Sequence, residues 1–279
     1  MTQPILCIAG KSRAAVDVVK AAVALDVRLA CLPNAGDCGE HDWQPSLLRT
    51  ARDLGVELVD LDWAMARPNL TFVSVEYDRI VRPERFATTK LFNIHFSLLP
   101  KYRGCNTAIW PILHGEAEHG VTLHEIDAGI DTGPIIAQRQ FAVEDGATSR
   151  DLYFRCLELG AALVIDWLPR LISGEYRAVP QPEEGASLFR RRDLDFTTAS
   201  EVDFSADTRT VMRQIRAFTF PEYQLPTIDG AEIVAAAPPS AAAPAGEGTL
   251  LVPTADGAVR LRLKRPDLAE ARRERRRAG

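Results

Sequence analysis

The sequence predicts an α/β protein: a Rossmann-like, mostly parallel sheet with helices on both faces, followed by a small C-terminal α+β region with a hairpin. Three observations predict it. Short apolar runs alternate with amphipathic, helix-length stretches through the first half of the chain. One long amphipathic segment, from about Thr148 to Ser173, closes that alternation. Beyond Pro182 the texture changes to mixed charge and aromatics.

Taken in order, "PILCIAG" reads as a strand ending at Gly10, "SRAAVDVVKAAVAL" as a helix capped by Ser12, and "VRLACLP" as a second strand. A helix in "QPSLLRTARDLG" precedes three strands, "VELVDL", "LTFVSVEY" and "LFNIHFSL". "NTAIWPILHG" suits a short helix, and "GVTLHEI" and "PIIAQRQFAV" two more strands. In the long helix Leu152, Cys156, Leu159, Leu163 and Trp167 share a face, and Gly174 ends it. A boundary near Pro182 divides the chain into a larger domain, 1–182, and a small domain, 183–279. Within the latter, the low-complexity "AAAPPSAAAPAGEG" (235–248) reads as an excursion that tips a hairpin. "TLLVPTADGAVRLRLK" reads as two strands around an Asp256-Gly257 turn, and "DLAEARRERRRAG" as a fraying helix with a basic tail.

The balance of 33 basic against 38 acidic residues argues against a surface built throughout for nucleic acid. Five cysteines without a C-x-x-C spacing suggest neither a disulfide framework nor a thiolate zinc site, so a reducing, cytoplasmic setting is expected. No run approaches the roughly 20 apolar residues that span a bilayer, and no basic region precedes the first apolar run.

In "FNIHF" the two-residue period of a strand puts Asn93 and His95 on one face and Phe92, Ile94 and Phe96 on the other. Ligands of open α/β sheets bind beyond the carboxyl ends of strands, so this polar pair would meet a cleft. The bland alternative is a turn-capping Asn and a satisfied core His. "HEIDAGIDTGP" supplies Asp127 and Asp131, each two residues before a Gly; the spacing excludes a calcium loop and leaves either two Asx turns or a carboxylate beside His95. His114, His119 and His124 recur every five residues, but on a helix successive positions would lie about 140° apart, so no metal site is expected. "IAGKS" puts Lys11 at a helix start, where it could meet an anion or merely close a tight turn. Cys105 reads as a packed thiol.

"NIHFSLLPKYRG" followed by "GVTLHEIDAGIDTGPII" resembles, in residue type, order and spacing, the signature of the formyltransferases that use 10-formyltetrahydrofolate. With "AGKSRAAVDVV", "SVEYDRIVRP" and "IRAFTFPEYQLP", the chain to about Gly230 is similar to the branch acting on nucleotide-linked amino sugars. The resemblance implies that fold, 10-formyltetrahydrofolate as co-substrate, no metal, an amino sugar on a nucleotide such as dTDP as acceptor, and a homodimer. It implies catalytic roles for His95 as proton carrier, Asn93 as oxyanion donor, and Asp131 as the group that holds the imidazole. Arg79, Val81 and Asp127 are expected at the pterin, and Lys11, Ser97, Lys101 and Arg103 at sugar hydroxyls or diphosphate. Phe220 and Tyr223 would wall the sugar, stack on the base, or form a hydrophobic hinge core. Whether the amine is on C3 or C4 stays open. The rivals are a methionyl-tRNA formyltransferase, a folate-dependent hydrolase and a catalytically silent binding module.

Overall fold

The computed structural model describes residues 3–238 and 249–264; the expected tail helix and residues 239–248 of the alanine–proline stretch lie outside them. Two compact units form. The first comprises Met1–Thr107, Glu118–Ala142 and Tyr153–Phe189, and the second Ala108–Ala117, Val143–Leu152 and Arg190–Gly279.

In chain order the elements up to residue 189 are β1 (Ile5–Gly10), α1 (Ser12–Ala22), β2 (Arg28–Pro33), α2 (Leu47–Asp53), β3 (Glu57–Leu58), α3 (Leu61–Met65), β4 (Leu70–Val75), β5 (Leu91–His95), β6 (Arg103–Gly104), α4 (Trp110–His114), β7 (Glu118–Glu125), β8 (Ile135–Ala142), α5 (Ser149–Ser173) and β9 (Leu188–Phe189). The sheet of the first unit runs β3-β2-β1-β4-β5-β7-β8. β3 through β5 are parallel, β7 is antiparallel to β5, and β8 is antiparallel to β7. Every residue of β1 and β4 is buried, as strands covered on both faces require.

The two-residue period sorts the core. Leu6, Ile8, Val73, Val75, Phe92 and Ile94 face one way, against Ala15 and Val19 of α1 and Leu157, Val164 and Leu168 of α5. Cys7, Ala9, Phe72 and Leu91 face the other way, with Ala64 of α3. Asn93 and His95 thus leave the face of Phe92 and Ile94, as the alternation demands. The strand expected in "VELVDL" is only Glu57–Leu58, because the Asp60 side chain accepts from the Trp63 N–H and starts α3 instead. Burial pushes the Cys31 thiol up to about 12, and all five cysteines are free thiols. Among the described residues no helix is long and apolar enough to cross a membrane.

The second unit adds α6 (Phe196–Ala199), α7 (Thr208–Ala217), β10 (Thr227–Ile228), β11 (Ala231–Ala237), β12 (Thr249–Pro253) and β13 (Ala258–Leu263) to α4. Val211 and Ile215 of α7 pack on Ile233, Val252, Val259, Leu261 and Leu263. The sheet order is β10-β11-β13-β12, with antiparallel neighbours, and β12 and β13 form the expected hairpin at Asp256-Gly257. The excursion differs from expectation. Ala235–Ala237 belong to β11, and β11 and β12 are not hairpin neighbours but parallel strands flanking β13. The reason is β13 itself, whose strict alternation buries Val259, Leu261 and Leu263 and suits the central position.

Candidate active site

The carboxyl end of β5 is where side chains from three elements meet. Backbone register sets Asn93 of β5 opposite His124 of β7. Asp131 arrives from the β7–β8 turn in a left-handed conformation, φ 53°. Two residues on, the chain passes so close to β7 that a Cβ at Gly133 would lie 1.8 Å from the Glu125 carbonyl oxygen, so only glycine fits. Gln181 fastens this turn by donating from Nε2 to the carbonyls of Asp131 and Gly133, both at 2.8 Å.

His95 is buried, and its Nε2 lies 2.8 Å from the Tyr102 carbonyl. A carbonyl only accepts, so the proton of the neutral ring sits on Nε2 and the lone pair on Nδ1. That lone pair is 3.5 Å from Asp131 Oδ2. Asp131 Oδ2 also accepts from the Gly104 N–H at 2.8 Å, while Oδ1 is 3.3 Å from Asn93 Nδ2 and 3.6 Å from His124 Nε2. Burial alone would push the Asp131 carboxyl up, but the positive charge that the His95 and His124 rings carry in their protonated form, together with the Gly104 N–H, holds it well below the usual carboxylate range. A proton taken at His95 Nδ1 would therefore form an imidazolium facing a carboxylate that stays ionised. The imidazole itself is anchored chiefly by Tyr102, through its carbonyl.

The other expected site residues are spread more widely. Ser97 is fully buried and donates its hydroxyl to the Lys101 carbonyl at 2.7 Å, so it shapes the loop after β5; Lys101 is exposed on that loop. Arg103 places Nε and Nη2 on Gln181 Oε1, at 3.0 and 2.7 Å. Asp127 caps its own turn, accepting from the Gly129 N–H at 3.0 Å and the Thr132 hydroxyl at 2.7 Å. Lys11 is exposed after β1; past β4, Arg79 is exposed and Val81 packs against the Phe72 side of the core. In the second unit Phe220 is buried, while Tyr223 is 57% exposed with its ring centroid 4.8 Å from that of Phe220.

A second sequestered carboxyl lies where β1 and β4 end. Glu76 follows β4 with φ 56°, and Lys11 is its neighbour across the strands, its N–H bonded to the Val75 carbonyl. The Tyr153 hydroxyl of α5 lies 3.0 Å from both carboxyl oxygens of Glu76. Although the residue is half-buried overall, burial of its carboxyl raises the pKa, and the opposing pull of the Lys11 ammonium and the Tyr153 hydroxyl does not reverse this.

Two residues of the Asn93–His95–Asp131 site escape a reading of the sequence. Spacing alone groups His124 with His114 and His119, yet His114 is on α4 of the second unit, and an interval of five along β7 puts His119 and His124 on opposite faces. The findable signal is that His124 lies in a strand-like run, "GVTLHEI". Gln181 lies beside the expected domain boundary and carries no signal of its own.

Residues 28–168, half of the chain, match the formyl transferase family. A solved N-formyltransferase from Helicobacter canadensis, in complex with folinic acid and dTDP-3-aminofucose, is 37% identical with a TM-score of 0.85, over 92% of this chain and 98% of that one. The sugar 3-N-formyl transferase WlaRD, solved in the presence of dTDP and 5-N-formyl-THF, is 35% identical with a TM-score of 0.87, over 95% and 99%. Among curated proteins, the methionyl-tRNA formyltransferase of Myxococcus xanthus is 37% identical over 149 residues, 53% of this chain and 47% of that relative. The chain spans about half the length of the curated relatives it matches first.

Proposed function

Since the chain belongs to the formyl transferase family, we propose that it moves a formyl group from 10-formyltetrahydrofolate to the amine of a dTDP-linked 3-amino sugar. The observation that supports the sugar reading is the likeness in both sequence and structure to the two solved N-formyl transferases, at 37% and 35% identity with TM-scores of 0.85 and 0.87. Both of those solved proteins are described with a 3-amino sugar or 3-N activity, which favours C3 for the amine.

The amine nitrogen attacks the formyl carbon, and the carbonyl oxygen becomes a tetrahedral oxyanion. Asn93 donates an N–H to that oxyanion, a contact worth about 3 to 4 kcal/mol. His95 Nδ1 takes the amine proton as general base, and the ionised Asp131 3.5 Å away stabilises the imidazolium. Collapse breaks the bond from carbon to the folate nitrogen, which receives the proton back from His95. Arg79, Val81 and Asp127 are assigned to the pterin, and Lys11 and Lys101 to the diphosphate by charge-assisted contacts. Arg103 acts on the Asp131 turn through Gln181, and Ser97 acts by shaping its loop. Tyr223 offers an exposed aromatic face for a base. Assembly as a homodimer is part of the reading, supported by Leu251, 56% exposed on edge strand β12, and tested by sizing in solution.

The deciding experiment follows tetrahydrofolate release with a panel of dTDP-linked 3-amino and 4-amino sugars, the free sugars, and methionyl-tRNA. Turnover with a dTDP-3-amino sugar, and far slower turnover with its free counterpart, is expected. Preferential formylation of methionyl-tRNA would transfer the assignment to the RNA-acting branch, and release without any acceptor to a hydrolase.

A further inference from the structure

An oxyanion donor is useful only if its amide cannot flip, and the side chain that faces Asn93 across the sheet is His124. That ring is 2% exposed. Its Nδ1 lies 2.7 Å from the Glu125 carbonyl, which accepts only, so Nδ1 carries the proton of the neutral ring and Nε2 the lone pair. Nε2 in turn lies 3.1 Å from Asn93 Nδ2, closer than the 3.6 Å that separates it from Asp131 Oδ1. The contact is set by the register of β5 against β7, not by a loop. Asp131 Oδ1, the other neighbour of Asn93 Nδ2 at 3.3 Å, is also an acceptor. Two acceptors on one side oblige the amide to turn its nitrogen towards them.

We propose that His124 is a positioning residue for formyl transfer, selecting the flip state of the Asn93 amide and engaging one of its N–H groups so that the second can turn to the oxyanion. The inference rests on the formyl-transfer reading above. The second N–H has only the longer contact with Asp131 in the resting site, so a developing oxyanion competes for it easily. Without the His124 lone pair the amide can rotate and present its oxygen to the reacting carbonyl, which repels instead of stabilising.

The test compares His124→Leu with His124→Gln, whose amide oxygen reaches towards the position of Nε2 and can accept from Asn93. His124→Leu should lower kcat about 10- to 100-fold, less than the roughly 10²- to 10³-fold of losing an oxyanion donor outright, with KM for donor and acceptor changed less than about 3-fold. His124→Gln should recover most of that loss. In an Asn93→Ala background His124→Leu should cost less than about 2-fold more, because the group it positions is gone. Additive losses, equal losses in Leu and Gln, or an effect on KM alone would overturn the proposal. Nitrogen NMR of the wild-type ring probes the same geometry independently of turnover: a proton on Nδ1 and a lone pair on Nε2 support it, the reverse tautomer refutes it. Absence of formyl transfer by the wild type to any amine would fell the formyl-transfer reading instead, and the ring tautomer would still decide the geometry.

Discussion

Glu76 and Asp131 both stand past strand ends of one sheet, both with carboxyls withdrawn from water, and they respond oppositely: Glu76 is shifted up and Asp131 down. Burial is the largest influence on each and acts in the same direction. The difference lies in the partners. Asp131 faces two imidazoles and a backbone N–H, whereas Glu76 has one ammonium on an exposed residue and the hydroxyls of Ser12 and Tyr153. One carboxyl is kept as a charge beside His95; the other is drawn towards its neutral form and ties α5 to the exit of β4. Depth alone does not set the charge of a carboxyl; the neighbours decide.

The largest expected effect separates the two directly. Asp131→Asn and His95→Asn should each lower kcat by about 10²- to 10⁴-fold while the melting temperature shows a folded protein. A variant keeping more than about a tenth of the wild-type rate would remove its residue from the proton path. Next in size is Gln181→Leu, which strips the N–H donors from the Asp131 and Gly133 carbonyls. Urea unfolding should show a loss of about 1 to 3 kcal/mol, with kcat reduced less than in Asp131→Asn.

A pH series of melting curves tests the opposed shifts. With a lowered folded-state value, the contribution of Asp131 is fully present above the unfolded carboxyl value of about 3.9 and is lost as pH falls through the folded value. Glu76, with a raised value, contributes most below about 4.3, and that contribution is lost as pH rises through its folded value. The deficit of Asp131→Asn against wild type should therefore shrink on acidification, whereas Glu76→Gln should gain on wild type as pH rises above about 4.3. Curves of the same sign would break the comparison. The smallest effect is on turnover: Glu76→Gln, which can still accept from Tyr153, should leave kcat within about 3-fold of wild type.

The parts of this arrangement that obey a local period are open to inspection in the sequence. Alternation in "FNIHF" gives the face of Asn93 and His95, and the amphipathic stripe gives α5 almost to the residue, Ser149–Ser173 against an expected Thr148 to Ser173. Asp131 needs the family resemblance, since two adjacent Asx turns look alike in sequence; Asp127 closes its own turn and Asp131 looks inward because of a left-handed backbone and the close passage at Gly133. His124 is hidden because its meaning is a cross-strand partner 31 residues away. Glu76 is hidden likewise, by Tyr153 77 positions later. Pairing of distant segments has no local period to read.

The placing of β13 between β11 and β12 has a consequence for protein engineering. A link between parallel strands must return along the sheet as well as step over the intervening strand, so it cannot be as short as the two residues of a hairpin; here positions 238–248 lie between the two strands. The connection therefore has a minimum length. Cutting it to an Asn-Gly pair should unseat β12 and expose the apolar face of Leu250 and Val252. Lengthening it should cost little, about 0.6 kcal/mol for each doubling, which makes this connection, rather than the tight Asp256-Gly257 turn, the place to graft a tag or a reporter.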